Sequence, residues 1–564
     1  MYLFKKKNQT GKSYYYLGEN KRVNGVTIRI KEIYLGNADK IYELTHSEKS
    51  LEKINTYESG LTIALLQQIR ESGLYKILNE VLPFRIRGIP ASVVVIIILL
   101  NKIIDPKSKN KISLWYNNSV LCKLLPLSTD KLSSQFFFDC LRELNQKRIE
   151  RIEYRMAKNV KITEKLDSIL CDMTHIETYI SEHEGNKLPQ RGRTRIKTGR
   201  RIVNLVLMIT RNNSIPLFHM PYPGNINDVT EFAEVVKILE KRYAFLTGNG
   251  KKKITIMIDK GNNNEENING LDDMGYYFIG RLRPSNYEDL LEKPLTEFKD
   301  IYDKNIISYS IFKNIYSKRR KLVIKFDKKS FDKSHEEFVD LIERREREIQ
   351  YLEKNINYKL KNGGKRSKLH WSKKENVENA IKRILNKKPT KNLFSYALEQ
   401  SKDKINIEIN INKEEYNKRI NLIGKYILFT NRKRWSHKKI IKAFLDQYLI
   451  EDQYKTLKGD RIKISPLNHW TDDSIRADIF LSVLSLQLMN LLLMKIKKKE
   501  IKLSNKKILD TLEQIKTTYY KLKSSNYDFD MINEMEGDEK LLYEKLNLKD
   551  KKTYSYIKRA FKEK

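Results

Sequence analysis

At 564 residues the chain exceeds one ordinary hydrophobic core, which implies roughly three to four domains. Its 110 Lys and Arg against 71 Asp and Glu leave a net charge of +39 spread along the sequence, which favours a polyanionic partner such as nucleic acid. A lysine-rich composition drawn from an AT-biased genome accounts for part of the same excess. Cys122, Cys140 and Cys171 have neither the number of a disulfide framework nor the Cys/His spacing of a structural zinc site. The start MYLFKKKNQTG lacks the apolar segment of a secretion signal, and the most apolar run, residues 91–100, is about half a bilayer span. The expectation is a cytoplasmic protein that does not enter a membrane.

Residues 1–57 alternate polar and apolar in short bursts, SYYYLGE, VTIRIKEIYLG and KIYEL, and predict a small basic β module. From Gly60 the period becomes helical. LTIALLQQIRESGLYKILNEVLP sets Leu61, Ala64, Leu65, Ile69, Leu74 and Ile77 on one side, and PASVVVIIILLNKIIDP follows as a buried helix between Pro90 and Pro106. With SLWYNNSVLCKLLP and the segment up to residue 162, this makes a helical region over 58–162 that suits a DNA-binding unit and equally a scaffold.

Near residue 166 the period changes to two. LDSILCDMTHIETY predicts a strand ending at Asp172, and RIVNLVLMITRNNSIPLFHMPYPGN predicts a hairpin around NNS. Asn227, Asp228 and Thr230 begin a helix that buries Phe232, Val235, Val236 and Leu239. KITIMID is a short buried strand ending at Asp259, a helix follows, and YYFIGRLRP is the next strand. Three antiparallel strands, helix, strand, helix, strand describe an α/β fold, a mixed sheet flanked by helices over 163–290. An insertion over 291–420 then interrupts it. Its predicted parts are a hairpin of IISYSIFKNI and RKLVIKFDKK, a charged helix with a seam of Phe338, Leu341, Ile342, Ile349, Leu352 and Ile356, and a GGKRSK turn. Lys365, Arg366 and Lys368 at that turn could reach phosphate or stay solvated. GKYILFT returns to strand and opens a second part of the sheet domain, 421–500, and 501–564 is a lysine-rich tail, helical or partly disordered.

Ser436 is placed to cap a helix containing residues 444–458. There Phe444, Gln447, Glu451, Lys455 and Lys458 share one stripe, a pattern that an ordinary amphipathic surface helix also produces. Asp172 and Asp259 at strand ends and Glu451 on a packed helix could converge at one crevice. Three carboxylates there would hold two Mg²⁺ or Mn²⁺ ions about 3.5–4 Å apart for phosphoryl transfer, and hard oxygen ligands without His or Cys favour those ions over zinc.

LCDMTHIETY, PYPGNINDVTEF, ITIMIDKGNNNEEN and above all YLIEDQYKTLKGDRIKISPLNHWTDDSIRADIF resemble the DDE transposases of bacterial and archaeal insertion sequences. The branch resembled is the one with a Tyr-x2-Arg-x3-Glu-x6-Lys signature, and the resemblance covers nearly the whole chain. It implies a ribonuclease-H-like catalytic domain split by the insertion, a metal triad of Asp172, Asp259 and Glu451, and Lys458 as the lysine that contacts DNA near the cleaved end. Phe444 and Gln447 stand where the signature has Tyr and Arg, and Lys455 or Arg461 would have to substitute. Arg476 joins the DNA-binding set, while Asp478 stands where the family tends to have histidine. His175 is read as structural. Trp435 and Trp470 are candidates to stack a flipped base, each also suited to plain packing. The implied activity is binding of terminal inverted repeats, cleavage that frees 3′-hydroxyls, and joining to target DNA by a homodimer at the prokaryotic nucleoid. Two alternatives stay open: a related nuclease that cuts without joining, and a DNA-binding derivative without catalysis, retained as a repressor or a decayed copy.

Overall fold

Alternating apolar residues in SILCDMTHIET and a near-continuous apolar run in RIVNLVLMIT make two long strands, paired antiparallel from Ile169–Thr210 to Thr178–Arg201. They seed a nine-stranded sheet. The computed structural model describes residues 2–7, 11–23, 26–46, 51–125, 127–164, 166–180, 185–192, 199–243, 254–258, 263–522 and 528–559. It divides into two compact units, Met1–Glu143 with Leu491–Lys564, and Leu144–Asn490.

The second unit begins with α1 (Gln146–Thr163), then β1 (Ser168–Thr178), β2 (Arg201–Thr210), β3 (Pro216–Pro223), α2 (Asp228–Tyr243), β4 (Thr255–Met257), α3 (Glu265–Asp273) and β5 (Tyr277–Arg281). It continues with β6 (Asp300–Ile301), β7 (Ile306–Ile315), β8 (Lys318–Asp327), α4 (Lys328–Asn362), β9 (Lys425–Thr430), α5 (His437–Leu445), α6 (Tyr448–Lys458) and α7 (Asp472–Lys497). The strand order is β6-β7-β8-β9-β5-β4-β1-β2-β3. β4 is parallel to both β1 and β5, and the other neighbours are antiparallel. Ile256 and Met257 of β4 are wholly buried, as a central parallel strand covered on both faces requires.

Four expectations change here. The sheet does not stop before residue 291: β7 and β8 form a hairpin, and β8 pairs with β9 from Lys321–Thr430 to Phe326–Lys425, so the hairpin extends the main sheet. Asp172 is not a strand end, because β1 runs on to Thr178. Residues 444–458 are not one helix: α5 ends at Leu445, α6 starts at Tyr448, and Ser436, whose hydroxyl accepts from Lys439 N, caps α5. Helix α1 belongs with the second unit, where the buried Glu153 carboxylate accepts from His219 N at 2.7 Å on β3.

Within the insertion, α4 buries Phe338, Ile342, Ile349, Ile356 and Leu360. Its later turns pack on Val377, Ile381 and Leu385 of the helix Lys374–Leu385 and on Ile405 and Ile407 of a β-hairpin. Helix α7 is long and apolar enough to cross a membrane, yet 94% of its most apolar stretch is buried inside the protein. Its amides are satisfied there: Gln487 Nε2 donates to Pro216 O and Asn490 Nδ2 to Ser214 O, at 2.6 and 2.7 Å.

In the first unit Tyr2–Lys7, Ser13–Val23 and Val26–Gly36 form an antiparallel sheet. KIYEL, predicted as extended, lies in the helix Ala38–His46. Leu51–Glu58 pairs instead with Lys516–Leu522, which pairs with Asp528–Ile532, so the expected helical tail supplies two strands as well as helices. Ala91–Ile104 is a buried helix, as its composition predicts.

Candidate active site

Asp172 is the fifth residue of β1 and is half-buried, directly after the wholly apolar Ile169, Leu170 and Cys171. β4 ends its pairing with β1 at Met257–Leu170. Asp172 therefore lies two residues past the last pairing with its parallel neighbour. Asp259 is likewise two residues past Met257 in sequence, and it lies outside the described residues.

Helix α6 packs on this part of β1 through two hydrogen bonds. The Tyr454 hydroxyl donates to the carbonyl oxygen of Asp172 at 2.7 Å, and Lys458 Nζ donates to Thr174 Oγ1 at 2.6 Å. Asp172 and Thr174 are two apart and so face the same side of the strand. Glu451 is three residues before Tyr454 and seven before Lys458, which puts it on the helix face turned to β1, at an exposed position in the first turn. Burial, then the Asp172 carboxylate, pushes the Tyr454 hydroxyl well above its ordinary value, so it remains a donor. The Cys171 thiol is pushed up by burial and by the same carboxylate, and stays a neutral packing group.

The joint between α5 and α6 is fixed from the far side. Arg211, in the turn between β2 and β3, places Nη2 2.6 Å and Nε 2.7 Å from Asp446 Oδ2, with both side chains mostly buried. Asp446 and Gln447 keep right-handed helical dihedrals, and the joint is a tight turn in which Gln447 N donates to Phe444 O at 3.1 Å and Leu449 N to Asp446 O at 3.0 Å.

The remaining predicted residues divide by exposure. Trp470 is 63% exposed, whereas Trp435 is 9% exposed with Arg432 and Lys439 stacked 4.6 and 4.2 Å from its ring centroid. Trp435 is thus a buried packing aromatic. Lys455 is exposed and ion-paired with Asp452 at 2.8 Å, and Arg461 is half-buried. Arg476 turns toward a cleft lined by Glu150, Glu153, His219 and Met220. Asp478 is buried, 3.5 Å from His469 Nε2. Sequence reasoning missed Tyr454, Thr174 and Arg211. Tyr454 was visible in principle, being i+3 from Glu451 and i−4 from Lys458, whereas the other two are set by tertiary pairing.

Asp172 and Glu451 are carboxylates, a hard oxygen type that suits Mg²⁺ or Mn²⁺ better than Zn²⁺. Among the described residues no group of three His, Cys, Asp or Glu side chains is gathered to hold a metal ion, with Asp259 outside them.

No family model matches the chain, and no curated protein matches it. Among solved structures it is similar to the piggyBac transposase synaptic complex with hairpin DNA, at 11% identity over 82% of each chain with a TM-score of 0.38. It is also similar to the Mos1 transposase paired-end complex with left transposon end, at 15% identity over 31% of this chain and 59% of that chain, with a TM-score of 0.15. Neither likeness is close enough to bear on the function of this chain.

Proposed function

We propose that the chain is a DDE transposase of the insertion-sequence type. It would bind terminal inverted repeats, cut them to free 3′-hydroxyls, and join those ends to target DNA. The observation that carries this reading is the docking of α6 on β1, Tyr454 to Asp172 and Lys458 to Thr174, which brings a helix with an acid and a lysine to a sheet carboxylate from 282 residues away. The strand order β3-β2-β1-β4-β5, with β1, β4 and β5 parallel, supports a ribonuclease-H-like sheet, and α4 with its neighbours supports an insertion before the glutamate helix.

In this reading Asp172, Asp259 and Glu451 hold two Mg²⁺ or Mn²⁺ ions, whose chemistry is to activate water or a 3′-hydroxyl and stabilise the leaving oxygen. Tyr454 fixes the helix against the strand, and Lys458 meets a phosphate beside the cut. The partner is double-stranded DNA, as transposon end and as target, and two ends held together call for a homodimer on DNA. The setting is the prokaryotic cytoplasm, at the nucleoid.

Purified chain with Mg²⁺ and a duplex carrying the ends of the flanking element is expected to give 3′-hydroxyl ends and a joined product. Asp172→Asn, Asp259→Asn and Glu451→Gln should each abolish both products while end binding persists, because the basic surface remains. Tight end binding without any cut strand refutes the catalytic reading. Cutting without joining turns it into the nuclease.

A further inference from the structure

The long helix α4 has a second face that the catalytic chemistry leaves unused. Its apolar side is covered by the insertion's own core. On the opposite side Arg344, Arg347, Tyr351, Lys354, Tyr358 and Lys361 follow one another at alternating spacings of three and four residues, and all six are exposed. The two tyrosines are 71% and 66% exposed. Among the described residues none of the four cations makes an ion pair, whereas Arg345 on the covered side is bound by Glu348 at 2.8 Å.

Glu346 and Glu348 lie beside Arg344 and Arg347, and beyond them acid becomes scarce. Residues 350–374 contain many Lys and Arg but one acid, Glu353, whose carboxylate accepts from Ile407 N at 3.2 Å. Arg347, Lys354 and Lys361 recur every seven residues, about 10.5 Å apart on a straight helix, and the whole row is about 25 Å long.

We infer that this row is a docking face for the backbone of duplex nucleic acid. A duplex carries one charge per about 1.7 Å of axis, so a row of cations about 25 Å long meets phosphates without fine register, and tyrosine hydroxyls between them are suitable phosphate donors. Two copies of the chain do not fit the face, since like charges would oppose along the seam. An anionic membrane does not fit it either, because the apolar side that would enter the lipid is already packed inside. The face is independent of the metal triad, so duplex docking can fail while cleavage stands, and the reverse.

The test uses the full chain and a labelled random-sequence duplex of about 30 base pairs, followed by anisotropy across a salt series. Removing three phosphate-binding cations in R347Q/K354Q/K361Q should lower the slope of log affinity against log salt by about three, with affinity down at least about tenfold at low salt. The comparison is K402Q/K404Q/K413Q, which removes the same charge from exposed positions of the same insertion and should leave the slope near that of the parent chain. Circular dichroism checks that both triples fold, and K354A alone should lower the slope by about one. Equal slopes for the two triples overturn the inference. So does unchanged duplex binding in the stripe variant together with lost binding to phosphatidylserine vesicles.

Discussion

Removing one oxygen from Tyr454 is the sharpest probe of how α6 is held. In Tyr454→Phe the ring still fills its place, 6% exposed, but the carbonyl of Asp172 loses the donor at 2.7 Å. Losing one such hydrogen bond costs about 0.5–1.5 kcal/mol, or roughly a twofold to tenfold shift in an opening equilibrium. The loss should be local, because Lys458 and Arg211–Asp446 still tether the helix ends. Hydrogen exchange is the fitting assay: amides of α6 should exchange faster by about that factor, while those of β2 and α7 should not change. Tyr448→Phe, at a 55% exposed position on the same helix, should alter exchange by less than about 0.5 kcal/mol. Equal protection of α6 in the parent and in Tyr454→Phe would refute the docking of the helix through this hydroxyl.

Other outcomes follow from the same geometry. Lys425 on β9 is buried, donating to Lys293 O at 2.9 Å and Asn421 Oδ1 at 2.7 Å, and burial lowers its pKa to about 8. An unfolded lysine titrates near about 10.4, so between those values the unfolded state binds the extra proton and stability rises with pH. Lys425→Met should flatten that rise in urea unfolding measured from about pH 8 to about pH 10, and an unchanged slope would contradict the assignment. Trp435→Ala should cost about 3–5 kcal/mol of stability as a core truncation, whereas Trp470→Ala should cost less than about 0.5 kcal/mol and still reduce cutting of end DNA. A destabilising Trp470→Ala would show that the exposed ring is structural.

Local pattern made β1, β2, β3 and the buried helix Ala91–Ile104 legible, because pleat alternation and apolar runs are short-range signals. What pattern could not give is pairing across long separations. β8 joins the sheet through β9, which lies beyond the whole of α4 and the helices and hairpin that follow it, so the hairpin of β7 and β8 looked like part of the insertion. Leu51–Glu58 finds its partner in Lys516–Leu522, which made the tail look helical throughout. Asp446, in the turn between α5 and α6, pairs with Arg211 from 235 residues away, a contact that the stripe through Phe444 could not reveal. At the candidate site, Asp172, Glu451 and Lys458 were assigned through the family resemblance, and the structure sets Lys458 beside the strand of Asp172. Exposure separated the two tryptophans, which spacing alone treated as equals.

Asp172, Asp259 and Glu451 are proposed to share one metal site. Iron(II) substituted for Mg²⁺ in the purified chain, with ascorbate and peroxide, cuts the backbone beside the residues that hold it. Three cuts are expected, next to residues 172, 259 and 451, all suppressed by excess Mg²⁺ and by Asp172→Asn. Cutting at 172 without cutting at 451, or cuts that Mg²⁺ does not suppress, would contradict a shared site.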